Sequence, residues 1–245
     1  MSVKNFSTEQ LVGRWEDRRD VKNLAGKYVL SLLLKKEPSM LETFWSARDD
    51  ISMGVNTGWY VGREALAAYY DSIDSATKVK AQLLKSYFKE DLGDMTDEQL
   101  YGRGPLELRS LDNAIIEIAT DGATAKGMFC CLGLVTDLEP SGSISHWVFG
   151  TYCFDFIREG NEWKIWHLLY AEDINEVAGQ KWGVNAPSPY PEIPEWAVLK
   201  DIQIAEPNRP VTLREHYSGS RPFTPLPKMP EPYDTFAETF SYGAE

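Results

Sequence analysis

Apolar residues recur at intervals of three and four along the N-terminal part of the chain, which is the period of one helix face. After the capping residue Ser7, this pattern predicts a first helix that ends before Pro38, with the charged stretch Glu16–Asp20 as its candidate break. The same spacing predicts a short helix over Ser39–Trp45 and a third helix over Glu64–Ile73.

From Leu106 onward the apolar positions alternate, and β-branched and aromatic residues become frequent, which is typical of strands. Leu106–Ala119 and Ala123–Val135 are predicted to pair as one hairpin, and Ile144–Asp173 as a second, longer hairpin around a Gly-Asn turn. Four long strands in succession predict an antiparallel meander. Because helices precede it, the expected class is α+β.

The regular pattern ends near residue 182. Residues 183–245 contain most of the 14 prolines, yet they keep many aromatic side chains, unlike a free disordered tail. We therefore predict a domain over residues 1–182 with an inserted helical and loop segment at 74–105. Residues 183–245 are predicted to form an extended C-terminal arm that packs on this domain or on a neighbouring subunit.

The formal net charge of −12 argues against nucleic acid and membrane surfaces as partners, because phosphate groups are bound by clustered Lys and Arg. The chain has neither a leader-like N-terminus nor an apolar run of about 20 residues. Its three cysteines are odd in number and lie in predicted strands, so they predict no disulfide framework. A cytoplasmic location is the expectation.

Two of the three histidines lie in the second hairpin, and imidazole suits a general base because it titrates near working pH. His146 and His167 are therefore the candidate bases. Asp155 lies in an aromatic run, where a buried carboxylate would need a partner, so we expect it to orient a histidine. His216, near the C-terminus, is a weaker candidate.

Simple alternation places His146 on the strand face of Val148, and His167 on the face of Ile165 and Leu169. Which of these faces lines a pocket depends on the strand register, because a slip of one residue exchanges the faces.

The eight Trp and twelve Tyr suit a flat or polycyclic ligand, and equally a core or a subunit interface. The residues predicted to contact a ligand are Trp45, Trp59, Arg109, Tyr152 and Tyr170. The sequence has no metal-ligand spacing, no phosphate-binding loop and no serine nucleophile motif, so neither a metal nor another cofactor is expected.

Several short stretches in a fixed order resemble the SnoaL-like branch of the nuclear transport factor 2-like superfamily, across residues 10–175. They are Asp20–Tyr28, Met40–Phe44, Gly58–Gly62, Asp112–Ile118, Asp121–Ala125 and Trp163–Ile165. The resemblance implies a cone in which a curved antiparallel sheet wraps a long N-terminal helix, with a mostly apolar pocket at its open end. It also implies a homo-oligomer, either a dimer or a trimer.

The superfamily includes ketosteroid isomerase, several dehydratases and non-catalytic binding proteins, so the resemblance implies more than one function. Tyr28 matches the tyrosine that such enzymes use to hold a substrate oxygen. The isomerase aspartate falls on Val55, the dehydratase aspartate on Leu33, and the dehydratase histidine near Arg109 or Ser110. We expect a cofactor-independent lyase or isomerase for a hydrophobic cyclic molecule, with a non-catalytic binding or assembly protein as the alternative.

Overall fold

The computed structural model describes residues 6–35, 37–104, 106–139, 142–179, 203–210, 217–218, 220 and 227–244. The helices are α1 (Thr8–Leu33), α2 (Glu37–Phe44), α3 (Arg63–Tyr87), α4 (Lys89–Leu92) and α5 (Asp97–Leu100). The strands are β1 (Ser52–Val55), β2 (Gly58–Val61), β3 (Glu107–Arg109), β4 (Asp112–Ile118), β5 (Thr124–Glu139), β6 (Gly142–Glu159) and β7 (Glu162–Val177). None of the helices in these residues is long and apolar enough to cross a membrane.

Helix α1 continues without interruption through the charged stretch Glu16–Asp20, so the prediction of a break there is wrong. Its inward charges are anchored on the sheet: Arg14 donates to the carbonyl oxygens of Ile118 and Ala119, while Asp17 pairs with Arg158. A capping box at Ser7 begins the helix. The predicted short helix is confirmed as α2, and the predicted third helix continues unbroken to the end of α3.

The α+β class is confirmed, with a curved sheet around a long N-terminal helix. The strand order is β2-β1-β7-β6-β5-β3, and β4 also pairs with β5. The sheet is mixed rather than purely antiparallel, because β1 runs parallel to β7. The strand predicted over Leu106–Ala119 is two strands, β3 and β4, which both pair with β5 and are separated by Ser110 and Leu111.

The sheet has two faces, which we call the cone face and the outer face. On the cone face, helix α1 packs against the strands, and the ring of Tyr28 meets that of Phe154 edge-on at 6.2 Å. On the outer face, Tyr242 from the C-terminal end packs with Cys153 and Leu169. Neighbouring residues of one strand therefore belong to different environments.

Two β-bulges in β7 change which residues share a face. Asp155 pairs with His167 but Phe156 pairs with Ile165, so Trp166 is an extra residue in β7. Asp173 is a second extra residue of the same kind. Because of the first bulge, Ile165 joins the core on the cone face while His167 lies on the outer face, against the simple alternation expected from the sequence.

The described C-terminal residues lie against the sheet of the same chain. Asn208 bonds to the backbone of Val61 at the β2 edge. Residues 233–244, which we call the C-terminal strap, cross the outer face from Thr124, which bonds Tyr233, to Ser52. The domain boundary predicted at residue 182 and the candidate His216 both lie outside the described residues.

Candidate functional site

Seven polar side chains form a continuous hydrogen-bonded network, which we call the polar chain. It lies on the cone face at one end of the sheet, which we call the wide end, where charged residues replace the apolar core. Its members are Lys35, Glu107, Arg109, Tyr170, Glu172, Asn175 and His146. Glu107 and His146 lie on either side of Val135 in the sheet, and so are two strand spacings apart, about 10 Å. Three of these residues were predicted from the sequence: Arg109, Tyr170 and His146.

Arg109 forms the centre of this chain. Its Nη1 donates to the Tyr170 hydroxyl at 2.6 Å, its Nε donates to Glu107 at 3.3 Å, and the guanidinium carbon lies 4.7 Å from the centre of the Tyr170 ring. Gly133, which pairs with Arg109, leaves room for it: a Cβ there would meet Arg109 Cγ at 3.4 Å and the Leu108 carbonyl oxygen at 2.9 Å. Burial alone would lower the pKa of Arg109, but Tyr170 and its other neighbours hold it well above its ordinary value.

The charges in this region compensate one another. Lys35 Nζ lies 2.9 Å from Glu107 Oε2, and Arg109 contacts the other oxygen of that carboxylate. Burial would raise the pKa of Glu107, but these two cations lower it below its ordinary value. Glu172 supplies a second carboxylate, which accepts from Tyr170. Two cations and two anions make the region nearly neutral.

His146 is held in one orientation by Asn175. The Asn175 Nδ2 group donates to Glu172 Oε1 at 3.1 Å, so its Oδ1 atom faces the His146 Nδ1 at 3.0 Å. An amide oxygen only accepts hydrogen bonds, so the neutral imidazole carries its proton on Nδ1. This assignment leaves the lone pair of Nε2 available to accept a proton, which is the requirement for a general base.

Tyr152 presents a polar group with no bonding partner among the described residues. Its ring stacks on Tyr170 with 4.4 Å between ring centres, and the residue is 3% exposed. Burial raises the pKa of its hydroxyl, which keeps the proton on the oxygen. The ring is buried but its hydroxyl is not among the fully buried polar atoms that lack a partner, so the hydroxyl is a candidate contact for a ligand.

Deeper in the cone, the predicted residues Tyr28 and Trp45 bond to a common neighbour. The hydroxyls of Tyr28 and Tyr70 lie 3.1 Å apart, and Trp45 Nε1 donates to Tyr70 at 2.9 Å. Tyr70 was not predicted as a site residue. Trp59, by contrast, lies on the outer face with Tyr242, away from the other predicted binding residues.

The outer face holds a second cluster, which contains the other two predicted catalytic residues. Asp155 Oδ2 lies 2.9 Å from His167 Nδ1, and Asp155 Oδ1 lies 2.5 Å from Lys126 Nζ. The pairing of Asp155 with a histidine matches the expectation from the sequence. However, both residues lie across the sheet from Tyr28 and His146, so the structure does not assemble the four predicted catalytic residues into one site.

The C-terminal strap covers this outer cluster. The Tyr242 backbone N–H donates to Asp155 Oδ2 at 2.7 Å, and Ser241 Oγ donates to the same oxygen at 2.9 Å. A Cβ on Gly243 would lie 2.8 Å from the His167 ring, so only a glycine lets the strap pass this closely. The cluster is therefore sealed by the chain itself.

Four residues of these two clusters were not predicted as site residues from the sequence: Glu107, Glu172, Asn175 and Lys126. Lys126 had one usable signal, since a lysine within an alternating apolar strand needs a buried partner or an outward position. The other three lie where register and the second bulge decide the face. Within the described residues, no group of three or more His, Cys, Asp or Glu side chains is arranged to hold a metal ion.

The SnoaL-like domain model matches residues 13–168. No curated protein sequence matches the chain. Among solved structures, hexachlorocyclohexane dehydrochlorinase LinA-type3 from Novosphingobium barchaimii is 16% identical, with a TM-score of 0.47 over 72% of this chain and 99% of that one. An NTF2-like protein with a cystatin-like fold from Novosphingobium aromaticivorans is 19% identical, with a TM-score of 0.43 over 69% of this chain and 91% of that one.

Proposed function

Because the chain belongs to the SnoaL-like domain family, we propose that it is a cofactor-independent lyase or isomerase acting on a hydrophobic cyclic molecule. The substrate binds at the wide end of the cone face. The observation that carries this proposal is the oriented His146, which shares a face with Arg109 and Tyr152. Neither the His146 Nε2 nor the Tyr152 hydroxyl has a hydrogen-bond partner among the described residues.

In the proposed reaction, His146 Nε2 removes a proton from a carbon next to a carbonyl group. Asn175 holds the Nδ1 proton and so keeps the imidazole in the reactive tautomer. Arg109 donates a hydrogen bond to the substrate oxygen as negative charge develops on it. Tyr152 lies six residues from His146 along β6, so its hydroxyl contacts a more distant part of the ligand. The protonated histidine then returns the proton to another carbon or to a leaving group.

The surroundings favour a neutral, flat substrate. The two cations and two anions of the polar chain leave no net charge to attract an ion, and the stacked rings of Tyr152 and Tyr170 offer an aromatic surface. A ligand of two or three fused rings spans the interval of about 10 Å between Glu107 and His146.

The proposal is tested by proton exchange, which needs no knowledge of the product. A panel of cyclic ketones is incubated with the protein in deuterated water, and deuterium entry at the α-carbon is followed by NMR. His146→Gln is expected to slow the exchange by about 10²–10⁴-fold, which is the usual contribution of a general base. Tyr152→Phe is expected to weaken ligand binding while exchange remains measurable.

A non-catalytic binding protein is the second candidate function. The positions of the expected acid–base aspartates hold Val55 and Leu33, and Tyr28, Tyr70 and Trp45 already bond to one another. Ligands that bind tightly to the wild-type protein without any exchange across the panel would favour this function over the enzyme.

We also propose that the protein acts in the cytoplasm as a homo-oligomer. Leu108 and Leu134 pair across β3 and β5 on the outer face and remain 42% and 36% exposed, which is typical of a surface that a partner covers. Light scattering at micromolar concentration is the test, and a purely monomeric protein would contradict it.

A further inference from the structure

Lys126 and Asp155 form an ion pair that the proposed function does not use. They lie directly opposite each other on β5 and β6, with 2.5 Å between Lys126 Nζ and Asp155 Oδ1. Neither side chain has any exposed surface. Removing both charges from water is costly, and their attraction offsets that cost only in part.

The lysine amine lies in an apolar box. The C-terminal strap supplies all four of its walls, and the ring centres lie 4.5–5.9 Å from Nζ: Tyr233, Phe236, Phe240 and Tyr242. Burial lowers the pKa of Lys126, although Asp155 acts in the opposite direction. The ring faces attract the cation, but the exclusion of water favours the neutral amine, which is the nucleophilic form.

The other oxygen of the carboxylate is surrounded by donors. Asp155 Oδ2 accepts from the Tyr242 N–H at 2.7 Å and from Ser241 Oγ at 2.9 Å, and His167 Nδ1 lies 2.9 Å away. This is the arrangement that stabilises an oxyanion when a nucleophile adds to a carbonyl carbon. Asp155 therefore has a nucleophile beside one oxygen and an oxyanion site around the other.

We propose that Lys126 and Asp155 condense into an isopeptide bond that links β5 and β6 covalently. One proton first passes from Lys126 Nζ to Asp155 Oδ1, which leaves a neutral amine and a neutral carboxylic acid. The amine nitrogen attacks Cγ, and the negative charge on Oδ2 is held by the three donors. A second proton passes from Nζ to Oδ1, the Cγ–Oδ1 bond breaks, and one water molecule leaves.

The folded chain provides two conditions that favour this condensation and that are absent in bulk water: proximity of the two groups and exclusion of water. The two groups are already in contact, and effective concentrations for such intramolecular reactions reach about 10⁵ M or more. The strap excludes the water that would reverse the reaction. The product is a neutral amide whose Oδ2 keeps the donors it has now, so the buried charge pair disappears.

The test is the intact mass of the purified full chain, measured after denaturation. The expected mass is lower than the sequence mass by one water, and peptide mapping is expected to find a branched peptide that joins residues 126 and 155. A wild-type protein that stays at its full sequence mass after prolonged incubation in the folded state overturns the proposal.

Two variants make the mass measurement specific. Lys126→Arg keeps the positive charge but cannot form the amide, so its mass is expected to equal its sequence value. Asp155→Asn forms the same amide by losing ammonia, so its product has the mass of the linked wild-type chain. Circular dichroism checks that each variant is folded.

His167→Gln tests the oxyanion site, and linking is expected to slow by at least about tenfold when the imidazole N–H is lost. If Lys126→Arg also loses a water, the missing mass has another origin and the proposal fails. A linked peptide that maps to any other lysine would overturn it equally.

Discussion

The two faces of the sheet carry similar polar residues in opposite settings. On the cone face, His146 is fixed by an amide, and Tyr152 has a hydroxyl with no partner among the described residues. On the outer face, Asp155 accepts from donors on both sides and is fully buried beneath the strap. Polar side chains that can still form hydrogen bonds are suited to binding a ligand, whereas polar side chains whose bonding positions are all filled stabilise or modify the chain itself.

The largest expected effect lies on the outer face. Asp155→Ala leaves Lys126 and the strap donors buried without their acceptor, so the free energy of unfolding is expected to fall by about 3–5 kcal/mol. Urea unfolding measures this change. The double variant Lys126→Met/Asp155→Leu is expected to recover the part of the loss that comes from the unpaired lysine charge, because it removes both charged groups. An unchanged midpoint in the single variant would contradict the sealed cluster.

The next largest effect is expected to differ between the two histidines, one on each face of the sheet. His146→Gln is expected to abolish most of the proton exchange with little change in the midpoint of thermal unfolding. His167→Gln is expected to do the reverse, lowering the midpoint while exchange continues. The ratio of exchange rates between the two variants is the measurement, and equal losses of exchange would remove the distinction between the faces.

A smaller effect is expected in the strap. Ser241→Ala removes one hydrogen bond to Asp155 while Tyr242 still donates, so we expect a loss of about 1 kcal/mol in unfolding free energy. Hydrogen exchange of the strap amides should report the loosening more directly. Ser86→Ala on α3 is a matched control, because that hydroxyl bonds only within its own helix.

The smallest expected effect is a change in how the free energy of unfolding depends on pH. The pKa of Glu107 is lowered in the folded state, so its ionised form contributes stability above its ordinary value of 4.5 and loses that contribution as the pH falls below it. Glu107→Gln is expected to make stability less dependent on pH in this range. Unfolding free energies at pH 7 and pH 4 measure the difference, and identical slopes for both proteins would refute it.

The sequence predicted the elements better than their pairing. The helical period identified α1 and α2, and alternation identified the long strands, because these signals are local. The parallel pairing of β1 with β7 has no local signal, since it joins residues 52–54 to residues 167–169. The continuity of α1 was also hidden, because the inward anchors Arg14 and Asp17 look like ordinary solvated charges in the sequence.

The predicted site residues fall on both faces of the sheet. Arg109, Tyr152, Tyr170 and His146 share the cone face, as a pocket would require. His167 and Asp155 bond to each other on the outer face. Alternation alone predicted that His167 shares a face with Ile165, but the bulge at Trp166 places the two residues on opposite faces. Nothing in the sequence near residue 166 marks a bulge, because aromatic residues are equally common in regular strands.

That bulge also shows where β7 can change in length without changing its chemistry. Deletion of the single residue Trp166 would make Ile165 and His167 adjacent in a regular strand, so the two side chains would still point to opposite faces and each would keep its present partner on β6. A lineage that lost this one codon would therefore keep the imidazole beside Asp155 and the isoleucine in the core. Relatives of this chain can differ by one residue at this position and still carry the same side chains on each face.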